Sequence, residues 1–149
     1  LYLINQRGFN FLLYSAQRLI LRNATSAERL RALIENHVNY FAGHLNEMRV
    51  MMFGTLELNP RQDREIRQLK DDYKTLVADC VADLWRTTGN REFSAAALNR
   101  KTYLLFGMMN WIYGWYSRDE HGTRRELTED IFATFTEGLC ASARAEVAA

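Results

Sequence analysis

The chain has 149 residues, enough for one domain with a substantial core, because a chain of this size buries roughly 70% of its unfolded surface. Its composition is ordinary for a globular protein, and a net charge of +1 gives no argument for nucleic-acid binding by these residues. Cys80 and Cys140 lie far apart in the sequence, which favours two buried thiols in a reducing compartment over a disulfide framework. No signal peptide or membrane span is evident, so the sequence predicts a cytoplasmic protein.

Turn signals are sparse and no alternating strand pattern stands out, so the sequence predicts an all-α fold, a bundle of five to six helices. Residues 1–8 precede a first predicted helix, which runs from Phe9 to Arg22. The second helix begins at a capping box formed by Thr25 and Glu28. Its apolar face includes His37 and His44, and we expect it to end or bend near Gly43 or Gly54.

Asn59 and Pro60 form a start signal for the third helix, with an N-cap followed by proline at the first helical position. This helix is predicted to end near Thr88, with Gly89 and Asn90 as the stop signal. Ser94 is predicted to cap the next helix, residues 117–122 are predicted to form a polar loop, and Thr123 with Glu126 is predicted to cap the last helix.

The segment from Tyr103 to Tyr116 contains no charged residue, and on a helix it presents two apolar faces on opposite sides. One face carries Tyr103, Gly107, Asn110, Trp111 and Gly114, and the other carries Leu105, Met109, Ile112, Tyr113 and Tyr116. A surface helix needs only one apolar face, so this segment is expected to be covered on both sides. It is either an ordinary central core helix or a helix with one face towards a second subunit and the other towards a ligand cavity.

The sequence offers little support for catalysis. His37 and His44 are seven residues apart, about 10 Å along a helix, which is too far for one metal ion. Neither cysteine has a context that activates a thiolate, and no serine lies in a nucleophile elbow. We therefore predict no enzyme, no metal and no cofactor; the alternative is a helical-bundle enzyme for a hydrophobic substrate, with His37 or His44 as the base.

Polar side chains inside the apolar faces are the less usual feature. A buried polar group needs a hydrogen-bond partner or costs roughly 1–3 kcal/mol. Either these groups satisfy one another in the core, or they supply the few polar contacts of a small-molecule pocket. The second interpretation is favoured because five such groups lie on three predicted helices: His37, His44, Tyr73, Asn110 and Tyr113.

The run from Leu104 to Tyr116, followed by a polar loop and a helix that ends Phe-Thr-Glu-Gly-Leu, resembles the C-terminal domain of TetR-type transcriptional regulators. Within that family it is similar to the branch with acyl-CoA-responsive repressors. Leu1-Tyr2 and the later run Phe11-Leu12-Leu13-Tyr14 are similar to the end of the family's recognition helix and the start of its fourth helix. The resemblance therefore covers nearly the whole chain, and the tryptophan-rich run is its most specific part.

The resemblance implies a homodimeric repressor that binds operator DNA through an N-terminal helix-turn-helix, of which residues 1–8 would be a remnant. Residues 9–149 would then bind a small hydrophobic or acyl-CoA-like effector and dimerise, with the last two long helices forming an intersubunit four-helix bundle. The implied dimer interface contains Gly107, Trp111, Gly114, Ile131 and Phe135. The implied ligand pocket contains His37, Phe41, His44, Tyr73, Val77, Cys80, Phe106, Met109, Asn110 and Tyr113.

Overall fold

The computed structural model describes the backbone of residues 1–53, 58–88 and 93–147, and the side chains of these residues except Phe53 and residues 139–147. The regular structure of the described residues is entirely helical, which confirms the predicted all-α class. The six longer helices are α1 (Tyr2–Arg22), α2 (Ser26–Gly43), α3 (Leu45–Phe53), α4 (Pro60–Thr87), α5 (Ala95–Asn110) and α8 (Arg124–Val147). Two single turns, α6 (Ile112–Trp115) and α7 (Arg118–His121), lie between α5 and α8.

Helix α1 begins at Tyr2, so the predicted start at Phe9 is wrong. Gly8 does not interrupt the helix, because its missing side chain is what lets α1 pack against α3 and α2. A Cβ at Gly8 would lie 2.7 Å from the Sδ of Met51 and 2.8 Å from the hydroxyl of Tyr40. The predicted division between residues 1–8 and 9–149 thus falls inside one continuous helix, and the division itself stays a prediction.

The capping signals predicted at the starts of α2 and α4 are confirmed. The Thr25 hydroxyl accepts a hydrogen bond from the backbone N–H of Glu28, whose carboxylate accepts one from the N–H of Thr25. Asn59 caps α4 in the same reciprocal way with Gln62, and Pro60 occupies the first helical position. Helix α4 ends at Thr87, as predicted, while the stop signal at residues 89 and 90 lies outside the described residues.

The predicted start of α5 is also confirmed, because the Ser94 hydroxyl accepts from the backbone N–H of Ala97. Thr123 and Glu126 exchange hydrogen bonds at the start of α8 in the manner of a capping box. The prediction of a polar loop at residues 117–122 is wrong in one respect, because the centre of this segment forms the single helical turn α7. Gly122 follows that turn, and its φ of 75° lies in the left-handed region that glycine adopts without strain.

The core lies around α2, which contacts α1, α3, α4, α5, α6 and α8. Helix α4 runs alongside α1, α2 and α5 and contributes large buried side chains, including Tyr73 and Trp85. In α2 the predicted apolar face is buried as far as Phe41. The prediction that His44 shares this face is wrong: α2 ends at Gly43, and His44 leaves the helical conformation at φ −136°, ψ 44° and is exposed.

The segment from Tyr103 to Tyr116 is not one straight helix, as the sequence predicted. Helix α5 ends at Asn110, Trp111 forms a turn, and the backbone N–H of Gly114 bonds to the carbonyl of Trp111, a tighter i to i+3 step. The two faces are nevertheless distributed as the spacing predicted. The face of Leu105, Met109, Ile112, Tyr113 and Tyr116 is buried, whereas the opposite face is largely exposed. Among the described residues, no helix is long and apolar enough to span a membrane.

Candidate functional site

A cavity of about 410 Å³ opens between α1, α2, α3, α4 and α5. Its inner part is aromatic and its mouth is charged, and the charged residues all come from α4. Such a mixture of apolar walls with a few polar groups is typical of small-molecule sites. The lining residues are Phe9, His37, Phe41, Met52, Arg67, Lys70, Asp71, Tyr73, Lys74, Tyr103, Phe106 and Asn110.

The inner part of the cavity is formed around His37, which is only 1% exposed. Its Nδ1 lies 3.0 Å from the Tyr73 hydroxyl, and this hydrogen bond joins α2 to α4. Its ring lies 3.9 Å from the Phe41 ring and 6.2 Å from the Phe106 ring, measured between centroids. Packing from three helices therefore holds the imidazole in one orientation, with an aromatic wall on two sides.

The second ring nitrogen of His37 has no hydrogen-bond partner among the described residues, although the atom is buried. Burial lowers the pKa of His37 from 6.5 to about 3, and the Asn110 side chain acts in the opposite direction as a hydrogen-bonding neighbour, although its contact with the ring does not have the geometry of a hydrogen bond. The imidazole is therefore neutral at physiological pH, with one nitrogen bonded to Tyr73 and the other unsatisfied. A buried polar atom in this state costs free energy, which a ligand that supplies a hydrogen bond would recover.

The mouth of the cavity is formed by one face of α4. Arg67 pairs with Asp63 at 2.6 Å, and Lys74 pairs with Asp71 at 3.3 Å. Lys70 lies between them in a half-buried position, with its ammonium 5.4 Å from the centre of the Phe9 ring. The pKa of Lys70 is lowered, mainly because the ammonium is partly buried.

Five of the ten residues predicted for the pocket line this cavity together: His37, Phe41, Tyr73, Phe106 and Asn110. Val77, Met109 and Tyr113 are buried in the core instead. Cys80 lies in a separate groove between α1 and α4, where burial raises the pKa of its thiol to about 11, so that it stays protonated. His44 lies on the surface, where its ring stacks on Tyr40 at 4.6 Å between centroids.

Sequence reasoning missed the charged mouth of the cavity. Arg67, Lys70 and Lys74 recur at intervals of three and four residues, so they share one face of α4. That periodicity was available from the sequence, but a charged face on a helix is usually a solvated one. Only the packing of Phe9 and Tyr103 beside these residues turns this face into the rim of a pocket.

The outer face of α5 forms a second surface, together with α8. Leu104 is 61% exposed and Trp111 60% exposed, and Trp115 lies farther along the same segment. A shallow groove of about 230 Å³ runs between the two helices, lined by Lys101, Leu104, Met108, Thr134, Phe135 and Gly138.

The residues predicted for a dimer interface divide between the exposed surface and the layer beneath it. Gly107, Trp111 and Gly114 are exposed, whereas Ile131 and Phe135 are 6% and 5% exposed and pack into the core. Phe135 also forms part of the groove between α5 and α8. Apart from Gly107's neighbours in the chain and the adjacent backbone of its own helix, no heavy atom of the described residues lies within 4 Å of the Cβ position that a side chain at Gly107 would occupy.

Among the described residues, no three histidine, cysteine or acidic side chains are arranged to hold a metal ion. The cavity itself offers apolar contact, one neutral imidazole and the cationic side chains of its mouth.

Comparison with known families defines the class. The family model of the tetracyclin repressor-like C-terminal domain matches residues 23–139, and the chain belongs to this family. This confirms the resemblance found in the tryptophan-rich segment. No curated protein matches the chain.

Solved structures of TetR-family proteins share the fold at low sequence identity. A TetR-family transcriptional regulator from Bordetella parapertussis is 19% identical with a TM-score of 0.81, covering 90% of this chain and 68% of that one. The TetR-family regulator PfmR from Thermus thermophilus is 19% identical with a TM-score of 0.76, covering 90% and 71%. AibR in complex with isovaleryl coenzyme A and operator DNA is 16% identical with a TM-score of 0.71, covering 89% and 71%.

Proposed function

We propose that this chain is the effector-binding and dimerisation domain of a cytoplasmic, ligand-responsive transcriptional repressor. The observation that carries the proposal is the cavity at His37, in which a buried nitrogen without a partner faces aromatic walls. A core that served stability alone would gain from satisfying or removing this group. The family membership adds support, because the matching model is that of a tetracyclin repressor-like C-terminal domain.

The effector in this proposal is a small hydrophobic molecule or an acyl-CoA. The aromatic walls supply the apolar contact that such a molecule needs, and His37 supplies one directed polar contact. AibR, which shares the fold, was solved with isovaleryl coenzyme A bound, so the architecture accommodates an acyl-CoA in at least that protein.

The second part of the proposal is a homodimer formed through α5 and α8. A monomer would leave the large apolar side chains of Leu104 and Trp111 in water, on the same side of the segment, and exposed apolar surface is typical of interaction sites. Gly107 lies in the middle of the exposed face with open space above it, which permits a second helix to approach closely. Two copies of each helix would then make a four-helix bundle.

The mechanism in this proposal is a population shift. Residues 1–8 would be the end of a helix-turn-helix domain, so α1 would connect the DNA-reading part directly to the pocket residue Phe9. An effector that binds better to one subunit arrangement favours that arrangement, and the two DNA-reading parts no longer match the two half-sites. Because the coupling is reciprocal, operator DNA should weaken effector binding by the same factor.

The alternative, an enzyme with His37 or His44 as the base, has little support. A general base works best with a pKa near the working pH, whereas burial lowers the pKa of His37 to about 3. His44 lies on the surface outside the cavity, and its Nδ1 is 2.8 Å from the carbonyl of Tyr40.

The direct test is a gel shift with the full-length protein, including any segment that precedes Leu1, and the DNA upstream of its own gene. We expect a retarded complex at low salt, weakened by salt because phosphate contacts dominate such binding. A tenfold excess of unrelated DNA should not abolish the complex. The absence of any retarded band at low salt would count against the proposal.

A further inference from the structure

We infer that the cavity binds an amphipathic anion, with its apolar body among the aromatic walls and its anionic group at the Lys70 ammonium in the mouth. This inference rests on the proposed function and specifies the chemical class of the effector. Three features carry it: the pairing state of the mouth cations, the position of Lys70 and the unsatisfied nitrogen at the inner end.

The cations of the mouth are not equivalent. Arg67 and Lys74 are each neutralised by a carboxylate on the same helix, at 2.6 and 3.3 Å. Among the described residues, no carboxylate lies within ion-pairing distance of Lys70. An anion that enters the mouth would therefore meet Lys70 without having to break an existing ion pair.

The position of Lys70 makes this charge unusually available to a ligand. The residue is half-buried, and its ammonium lies 5.4 Å from the centre of the Phe9 ring, which also lines the cavity. The ammonium has lost water without forming an ion pair among the described residues. Burial lowers the pKa of Lys70 more than the charge of Asp63, which lies beyond ion-pairing distance, raises it. A bound anion would supply the missing charge in a place where solvent screens it less than at the surface.

The inner end of the cavity indicates that the space is for a ligand and not a packing defect. The Nε2 of His37 is buried, lacks a partner and belongs to a lining residue. The volume of about 410 Å³ is near the lower end of the range for small-molecule pockets, about 300–1,000 Å³. It suits one acyl chain or one or two rings as the apolar body.

The anionic group has two chemical sources, a free carboxylate or the phosphates of a coenzyme A thioester. Three probes with one ten-carbon chain separate them: decanoic acid, its methyl ester and decanoyl coenzyme A. Affinities are measured by titration calorimetry on the full chain in the absence of DNA, with wild type, Lys70→Met and Arg64→Met. Arg64→Met is the matched control, because it removes one positive charge from the exposed surface of α4 outside the cavity lining.

We expect at least one of the two anionic probes to bind about tenfold or more tightly than the methyl ester, the size of one charge-assisted hydrogen bond. Lys70→Met should remove this difference because it weakens binding of the anionic probe, while the affinity for the methyl ester stays the same. Arg64→Met should retain the preference, and Lys70→Arg should restore it. Preference for the acid identifies a carboxylate as the source, and preference for the thioester identifies the phosphates.

Three results would overturn the inference: no binding of either anion, equal affinity for ester and anions in wild type, or an unchanged preference in Lys70→Met. The comparison of probes in wild type stands even if a variant folds poorly. The experiments can also contradict the inference and the proposed function independently of each other. A protein that shifts operator DNA but shows no charge preference contradicts the inference alone, whereas charge-dependent binding by a protein that shifts no DNA contradicts the regulator proposal alone.

Discussion

The hydrogen bond between His37 and Tyr73 is the buried polar contact on which the inner part of the cavity depends. The Tyr73 hydroxyl is buried with the imidazole, and burial raises the pKa of Tyr73 far above its usual value, so the phenol stays protonated. Two neutral groups thus share one hydrogen bond in a medium where an unpaired polar group is costly.

Removal of the Tyr73 hydroxyl should destabilise the fold. Tyr73→Phe leaves Nδ1 of His37 without its partner in the core, so we expect the free energy of unfolding to fall by about 1–3 kcal/mol. Urea denaturation followed by far-UV circular dichroism measures it. Tyr14→Phe, at an exposed tyrosine, should change it by less than about 0.5 kcal/mol. Equal losses in the two variants would show that the buried hydrogen bond contributes nothing of its own.

His37 should also give the fold a specific dependence on pH. Its pKa is 6.5 when unfolded and about 3 when folded, so the unfolded state binds the proton first. The stabilisation is complete above pH 6.5 and is lost as the pH falls towards 3, at up to about 1.4 kcal/mol per pH unit. We expect His37→Gln to lose less stability than wild type between pH 6 and pH 4 in denaturation curves. His44→Gln should follow wild type, and parallel curves for all three proteins would contradict the assignment.

At the scale of helices, hydrogen bonds at the helix starts determine where several of the elements begin. Each capping residue satisfies backbone N–H groups that have no partner within the helix. The start of α2 is further tied to the preceding turn by Arg29, whose guanidinium donates to the carbonyls of Asn23 and Ala24 at 2.9 and 3.2 Å. These local bonds orient α2, the helix that carries His37, against α1.

Loss of the cap on α2 should be measurable and chemically specific. Thr25→Ala removes the hydroxyl that accepts from Glu28, and we expect a loss of about 1 kcal/mol in the free energy of unfolding. Thr25→Ser keeps the hydroxyl and should retain most of the stability. If serine lost as much as alanine, the effect would come from packing of the threonine methyl and not from capping.

At the scale of the whole molecule, one chain buries one face of α5 and leaves the other exposed. The buried face joins the core through Leu105 and Met109, while Leu104, Gly107 and Trp111 face outwards. Under the proposed function, a second copy of the chain covers this outer face. The pocket residues of α5, Tyr103, Phe106 and Asn110, would then lie beside this interface on the same helix, a short path for coupling between effector and dimer.

Gly107→Leu tests the predicted interface with little risk to the monomer. A side chain there meets open space within the chain, and leucine has a better helix propensity than glycine by roughly 1 kcal/mol. We expect sedimentation velocity to show a dimer for wild type and a monomer for Gly107→Leu, with an unchanged or higher melting temperature. Arg64→Leu adds the same side chain to an exposed part of α4 and should remain dimeric. A dimer of unchanged affinity in Gly107→Leu would place the interface elsewhere.

Gly114 is a less suitable test position than its spacing in the sequence indicates. A Cβ there would lie 3.2 Å from the ring of Trp111 in the same chain. A large side chain at this position would displace Trp111 first, and any effect on dimerisation would be indirect.

The sequence by itself determined the all-α class, the capped helix starts and the two faces of the segment from Tyr103 to Tyr116. These features are local. A hydroxyl three residues before a backbone N–H caps the start of a helix, and a repeat of 3.6 residues places side chains on one helix face, so both depend only on neighbours along the chain. The repeat places Leu105, Met109, Ile112, Tyr113 and Tyr116 on one face, and the structure shows that this face is the buried one. Family resemblance, carried by the same segment, supplied the class of protein.

Only the tertiary structure decided which buried polar groups meet and which charged face lies beside a cavity. His37 and His44 occupy equivalent positions in the helical repeat of the sequence. Because α2 ends at Gly43, only His37 lies on the buried face, and His44 is exposed. Phe9 and Lys70 are remote in sequence and become neighbours because α1 lies along α4. Such contacts depend on how the helices pack, which involves side chains from several elements at once and which no short-range pattern encodes.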